Sequence, residues 1–290
     1  MPGVVELASA IELFHFAALV HDDVMDDSDT RRGSPTVHRH FADTHRADGR
    51  RGDSDTWGGT AVAILVGDMC LSWSDDLVAA AVDAVPPGTS GKPCARPGRR
   101  CATRPTRGGS TWTCSARPRS TPILIGPSRV LRYKSARYSI GQPLRLGGTL
   151  AGADAGLLAD YDRIGLSAGE AFQLRDDILG VFGDEKVTGK PTIDDIREGK
   201  RTMLMALAEE SATWTERRVM ANCLGNPDLD ADGAALMREV VESTGALERV
   251  EQRIVELAED ALAVVAHASV DDQTRQALTS LVERCVWRRS

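Results

Sequence analysis

From Ala84 to Ala153 the chain contains no aspartate or glutamate, although its 290 residues carry 42 of them. Other absences bound the reading of the whole chain. No two cysteines form a CxxC pair, so neither a zinc site nor a disulfide framework is expected, and the six thiols read as reduced and cytoplasmic. No run of eighteen apolar residues exists, so no transmembrane segment is expected. The apolar stretch from Ile11 to Val20 contains His15 and lacks a preceding basic region, which argues against a signal peptide. Basic charge is also short: the net charge of −7 gives no footprint for nucleic acid, so no nucleic-acid partner is expected.

The acid-free region is also where proline accumulates. Eight of the 13 prolines lie between Pro86 and Pro127, with three cysteines and scattered arginines. No helix of ordinary length tolerates that density of proline, and an irregular segment is expected at about 84–129. The simultaneous change in acid, proline and cysteine content reads as GC-rich coding DNA translated out of frame. Written in permitted codons and shifted by two bases, the stretch from Gly108 to Ala116 can give GQYLDLLG.

Elsewhere the pattern is helical. Ile11, His15, Ala18, Asp22 and Asp26 recur at spacings that place them on one helix face. Leu157 to Val181, Arg201 to Glu210, Gly233 to His267 and Asp271 to Val286 also read as helices, with a break at Gly225-Asn-Pro. Ala61 to Val66 continues into a helical pattern, and no region alternates for long in the manner of a strand. The expected fold class is all-α, a single-domain helical bundle over residues 1–290.

The sharpest motif is His21-Asp-Asp-Val-Met-Asp-Asp-Ser-Asp-Thr-Arg-Arg-Gly33. Asp22 and Asp26 stand four apart, so their carboxylates project from neighbouring turns and repel. A hard divalent cation relieves that repulsion, and ligands that are all oxygen favour Mg²⁺ or Ca²⁺ over zinc. The required glycine and closing glutamate of an EF-hand fall in the wrong places. A second pair, Asp176 and Asp177, lies in Phe172-Gln-Leu-Arg-Asp-Asp-Ile-Leu-Gly180, on a helix whose Gly165 and Gly169 would admit a close neighbour. Arg31 and Arg32 follow the first pair; Lys190, Lys200 and Arg201 follow the second. Carboxylates to hold Mg²⁺ with Arg and Lys to hold oxyanions are what a diphosphate requires. The spacing of His38, His40 and His45 matches no common metal site.

These residues resemble a known family. HDDVMDDSDTRRGSPTVH, RYKSARYSIGQPL and FQLRDDILGVFGDEKVTGKP with DDIREGKRT are similar to the trans-polyprenyl diphosphate synthases, especially the actinobacterial type, over most of residues 6–83 and 130–290. The resemblance implies an isoprenoid-synthase helical bundle that condenses an allylic diphosphate with isopentenyl diphosphate, using about three Mg²⁺ ions. It implies metal ligation by Asp22, Asp26 and Asp176, with Asp23 and Asp177 in support. It assigns Arg31, Lys134 and Lys190 to the allylic diphosphate, Arg32 and His15 to isopentenyl diphosphate, and Ser135 and Gln173 to the reacting carbons, where Lys134 also acts. Lys200 joins the substrate-binding cations. A cytoplasmic homodimer and a geranylgeranyl product are the further expectations, with the product length set near Ala17, Ala18 and Phe14.

Departures from the family pattern accompany the likeness. The GGKRxRP motif of the family is absent, so the chain is expected to be truncated at its N-terminus, and Gly180 stands where a third aspartate is usual. A terpene cyclase shares the fold and first motif but would carry an Asn/Ser/Glu motif in place of Asp176-Asp177. A non-catalytic partner subunit or pseudogene product is the alternative of a different class.

Overall fold

The computed structural model describes residues 1–85, 139–183 and 192–287. Among them are eleven α-helices, one two-stranded hairpin and π-helical stretches at Ser54–Thr60 and 139–141, so the all-α expectation holds. The chain divides into two compact units, Met1–Thr103 with Leu146–Asp154, and Arg104–Arg145 with Ala155–Ser290.

In the first unit, α1 (Val4–Met25) buries Leu7, Ala10, Phe14, Ala17 and Val20. Their spacing of three and four draws one apolar stripe along the helix. Helix α3 (Ala61–Asp83) answers with Ala63, Gly67, Cys70, Ser74, Val78 and Ala81. The facing residues are small, and the Ser74 hydroxyl donates to the Ala10 carbonyl at 2.7 Å across the contact. Leu146 and Leu150 of α4 (Gln142–Leu150) pack on the cluster formed by Leu7, Ala10, Val78 and Ala81. By length and apolar content α1 could cross a membrane, which the count of consecutive apolar residues did not flag. Here it lies along α3 and carries His15, Asp22 and Asp23.

Between these helices lie the hairpin, β1 (Thr30–Arg31) with β2 (Ser34–Pro35), helix α2 (Val37–Ala47) and a π-helical turn, Ser54–Thr60. Strands of two residues are too short to show alternation, so periodicity could not announce them.

The second unit is built around α5 (Ala155–Phe182), followed by the short α6 (Asp194–Arg197), α7 (Met203–Ser211), α8 (Trp214–Cys223), α9 (Ala231–Ser243), α10 (Ala246–His267) and α11 (Asp272–Val286). Ile164, Leu174, Leu204 and Ile254 are almost wholly buried in its core. Each contributes about 2 kcal/mol, against roughly 0–1 kcal/mol for an exposed ion pair, so apolar packing sets the stability of this unit.

Two helix boundaries differ from the sequence expectation. The span Gly233 to His267 is two helices, because Gly245 takes a left-handed φ of 69° and its N–H donates to the Glu242 carbonyl. Helix α8 was not foreseen, although Thr213 and Glu216 form a capping box at its start. Gly165 meets its expected close neighbour: a Cβ there would lie 2.3 Å from the Gly141 Cα.

These two glycines should respond differently to alanine. Gly245→Ala meets open space and should cost about 1 kcal/mol of backbone strain. Gly165→Ala gains helix propensity but forces backbone apart, and should lose about 1–3 kcal/mol. Urea midpoints would measure both; a stabilised Gly165→Ala variant would disprove the tight contact with Gly141.

Candidate active site

Three carboxylates crowd the C-terminal end of α1: Asp22 and Asp23 in its last turn and Asp26 at its cap, with no basic residue in that turn. The helix dipole places further negative charge there, so the motif is electrostatically unfavourable without cations. Asp23 is 3% exposed and lies against Arg31. The Arg31 Nε donates to both carboxylate oxygens at 2.9 Å, and a terminal nitrogen donates to Oδ1 at 2.6 Å. Burial works against the Arg31 charge, yet the hydrogen bond to Asp23 and the charges of Asp23, Asp22 and Asp26 raise its pKa above the ordinary value.

The hairpin explains how Arg31 returns to the helix it follows. Arg32 and Gly33, the two residues of its turn, have φ of 52° and 75°, the pairing of positive values found in a type I′ turn. Gly33 takes this conformation without cost, whereas Arg32 bears strain. The loop is tied down from α2. Arg39 donates to Asp29 at 2.7 Å and to Asp27 at 2.9 Å, while the Thr36 hydroxyl donates to the Ser28 carbonyl at 2.8 Å. Buried His38 completes this support with Nδ1 3.2 Å from the Thr36 hydroxyl, so it belongs to the loop and not to a histidine metal site.

His15, half-buried two turns earlier on α1, shares this environment. Burial lowers its pKa, Arg32 and Arg31 push the same way, and Glu12 and Asp22 oppose them. His15, Asp22, Asp23, Asp26, Arg31 and Arg32 thus belong to one electrostatic neighbourhood, as the motif suggested.

In the second unit Asp176 and Asp177 diverge. Asp176 is exposed, whereas Asp177 is 8% exposed and accepts a hydrogen bond from the Gln173 side chain at 3.0 Å. Burial pushes the Asp177 pKa up to about 7, aided by the charges of Asp176 and Asp195 and opposed by hydrogen bonds from Gln173 and the Met203 backbone. Arg175, between the acids and the core, is committed elsewhere: it forms a two-pronged pair with Glu251 at 2.5 and 2.7 Å.

Lys200 lies 2.7 Å from both Asp195 Oδ1 and Glu198 Oε2. Burial disfavours its charge, but these two carboxylates outweigh that and raise its pKa. Sequence reading missed Arg39, Asp195 and Glu198, whose only signal was opposite charge at distances no helical period predicts. Lys134, Ser135, Lys190 and nearly all of 84–129 lie outside the described residues.

Among the described residues no three His, Cys, Asp or Glu side chains converge as a complete metal site. Mg²⁺ binds through one or two carboxylates and takes its remaining oxygens from phosphate and water. Each unit by itself offers such carboxylates, Asp22 and Asp26 partly exposed in the first and Asp176 exposed in the second.

Asp177 predicts a pH dependence in metal-free protein. An unfolded carboxylate releases its proton near ~3.9, whereas folded Asp177 keeps it to about 7. The folded state therefore holds the extra proton between these values. Its contribution to stability should fall as pH rises through that window and level off above it. Asp177→Asn should flatten the profile and stabilise the protein at pH 8 by on the order of a few kcal/mol. Urea titrations from pH 4 to 8 test this; parallel profiles for the two proteins would refute the raised pKa.

Comparison with known proteins gives this geometry a family. The Polyprenyl synthetase family model matches residues 1–242. The chain is 31% identical over 297 residues to a geranylfarnesyl diphosphate synthase from Aeropyrum pernix, spanning 98% of this chain and 82% of the relative. It is 31% identical over 296 residues to a nonaprenyl diphosphate synthase from Mycobacterium tuberculosis, spanning 99% and 76%. A solved geranylgeranyl pyrophosphate synthase from Corynebacterium glutamicum, complexed with isoprenyl diphosphate and magnesium, superposes with a TM-score of 0.92 at 37% identity, covering 100% of this chain and 80% of that one. The family model over residues 1–242 and the relative that is 31% identical over nearly the whole chain place this protein in the polyprenyl synthetase family.

Proposed function

We propose that the chain elongates an allylic diphosphate with isopentenyl diphosphate, giving a trans-prenyl diphosphate, and that geranylgeranyl diphosphate is the main product. The observation that carries this reading is the buried Asp23–Arg31 pair. It holds Arg31 within electrostatic reach of the partly exposed Asp22 and Asp26, a combination suited to diphosphate and metal together. The relatives' names span several chain lengths, so product length rests on the residues of α1.

Asp22, Asp26 and Asp176 would hold Mg²⁺, supported by Asp23 and Asp177. When bound, the metal supplies positive charge against a departing diphosphate. Arg31, Lys134, Lys190 and Lys200 would bind the allylic diphosphate, and Arg32 and His15 isopentenyl diphosphate. Lys134, Ser135 and Gln173 would line the reacting carbons. In such a condensation the allylic C–O bond breaks and the double bond of isopentenyl diphosphate attacks the freed carbon. A proton then leaves the new chain. The protein's part is to fix both substrates at reacting distance and keep water from the carbocation.

The reading includes a homodimer. Leu65, Met69 and Trp73 recur every four residues on α3 and are 62%, 50% and 49% exposed, an apolar stripe suited to a second copy. A cytoplasmic setting, in which thiols stay reduced, is part of the same reading.

Radiolabelled isopentenyl diphosphate with allylic diphosphates and Mg²⁺ should yield elongated prenyl diphosphates. A cyclised hydrocarbon formed without isopentenyl diphosphate would instead indicate a terpene cyclase. Asp22→Ala should reduce turnover roughly 10²–10³-fold, about 3–4 kcal/mol of lost charge stabilisation, while leaving the metal-free fold intact. Full turnover in that variant would remove Asp22 from the metal site.

Product length offers a second measurement. Ala17 is wholly buried, Phe14 is 9% exposed and Ala18 is partly exposed, so Ala18 can accept a larger side chain with least damage to the core. Ala18→Phe should shorten the product and Phe14→Ala should lengthen it. Unchanged products in both would place the chain-length floor away from α1.

A further inference from the structure

Gly180 lies one turn beyond Asp176 on α5, and the space its side chain would fill is taken. A Cβ built there would stand 2.1 Å from Asp195 Oδ2 and 3.1 Å from its Cγ. The other oxygen of Asp195 accepts from Lys200 Nζ at 2.7 Å, and Glu198 Oε2 lies 2.7 Å from the same nitrogen. The backbone closes this arrangement, since the Lys200 N–H donates to the Asp195 carbonyl at 3.1 Å. Lys200 is therefore held at its head by two carboxylates and at its root by the residue that supplies one of them.

The side chains of Lys200, Asp195 and Glu198 are 34%, 28% and 25% exposed, so the cluster is neither loose at the surface nor sealed in the core. A lysine has many rotamers in water, and orienting its ammonium needs fixed acceptors. In this chain the Asp195 carboxylate rests on the surface of α5, in the space that a side chain at position 180 would fill. A carboxylate at 180 would crowd Asp195 and add a like charge beside it.

We propose that Gly180 and Asp195 are positioning residues for Lys200: the bare helix surface at Gly180 seats the Asp195 carboxylate, which with Glu198 aims the lysine ammonium at the substrate diphosphate. This rests on the reading of Lys200 as a diphosphate-binding group. The neighbour at Gly180 is the end of a side chain and not backbone, so Gly180→Ala should fold and express its effect by moving Asp195.

A double-mutant cycle tests the proposal. Gly180→Ala and Asp195→Ala should each raise KM for the allylic diphosphate about tenfold with kcat little changed, the signature of lost ground-state binding. In the Asp195→Ala background the clash is gone, so adding Gly180→Ala should cause no further rise. Asp195→Asn should also raise KM, since it keeps the shape but loses the charge. Independent multiplication of the two alanine effects would overturn the seating of Asp195 by Gly180. Lys200→Met supplies the separate control and should raise KM at least as much as Asp195→Ala. An unchanged KM in that variant would overturn the premise about Lys200, while melting temperatures across the same cycle would still report whether Gly180 seats Asp195.

Discussion

A carboxylate buried at the negative end of a helix must find a cation, and in this protein Asp23 finds Arg31. The cost of leaving it unpaired would be several kcal/mol, since desolvation is opposed only by a specific partner. Three hydrogen bonds meet that demand. To deliver the guanidinium, the chain must reverse within a few residues of the end of α1. The hairpin and the strained φ of Arg32 follow from that geometry, and so does the anchoring of the loop by Arg39 and Thr36. The same reversal leaves Arg32 and Asp22 within electrostatic reach of His15.

The second motif solves a different problem with similar parts. It too pairs an exposed acid with a buried one, Asp176 with Asp177. Here the buried member has no arginine. A neutral amide, Gln173, donates to it instead, and the carboxyl retains its proton to about pH 7. The nearby Arg175 is drawn away to Glu251 on α10 and serves the packing of the unit. The cation of this region is Lys200, placed by residues that follow the motif. Two adjacent aspartates in sequence therefore carry unequal electrostatic roles in each motif, decided by what is packed around the second of them.

Much of the fold was legible in the order of residues. The helix carrying His15, Asp22 and Asp26, the long helix containing Asp176, and the close approach at Gly165 follow from helical periodicity and from the lack of a side chain. The buried stripe of α1, in contrast, runs through Leu7, Ala10, Phe14, Ala17 and Val20, a face that the sequence reading did not single out. The first acid pair stood out because like charges four apart on a helix are costly unless something binds them, and the second because it places two further aspartates ahead of another group of cations. The break at Gly245 was missed because helical spacing continues across it, and only the left-handed φ ends the helix. Helix α8 was missed because its apolar pattern is weak and its identity rests on the Thr213–Glu216 cap.

The sequence by itself determined the all-α class and the family, because these depend on local spacing and residue type. Tertiary structure decided which acid in each pair is buried, that Arg31 is engaged by Asp23, and that Gly180 gives its place to Asp195. Those outcomes depend on contacts between residues 4, 8 and 15 positions apart, made by side chains whose direction is fixed only when the chain packs. Charge and hydrophobicity are properties of single residues and can be read in order along a chain. Desolvation and seating are properties of a neighbourhood, and neighbourhoods exist only once the chain has folded.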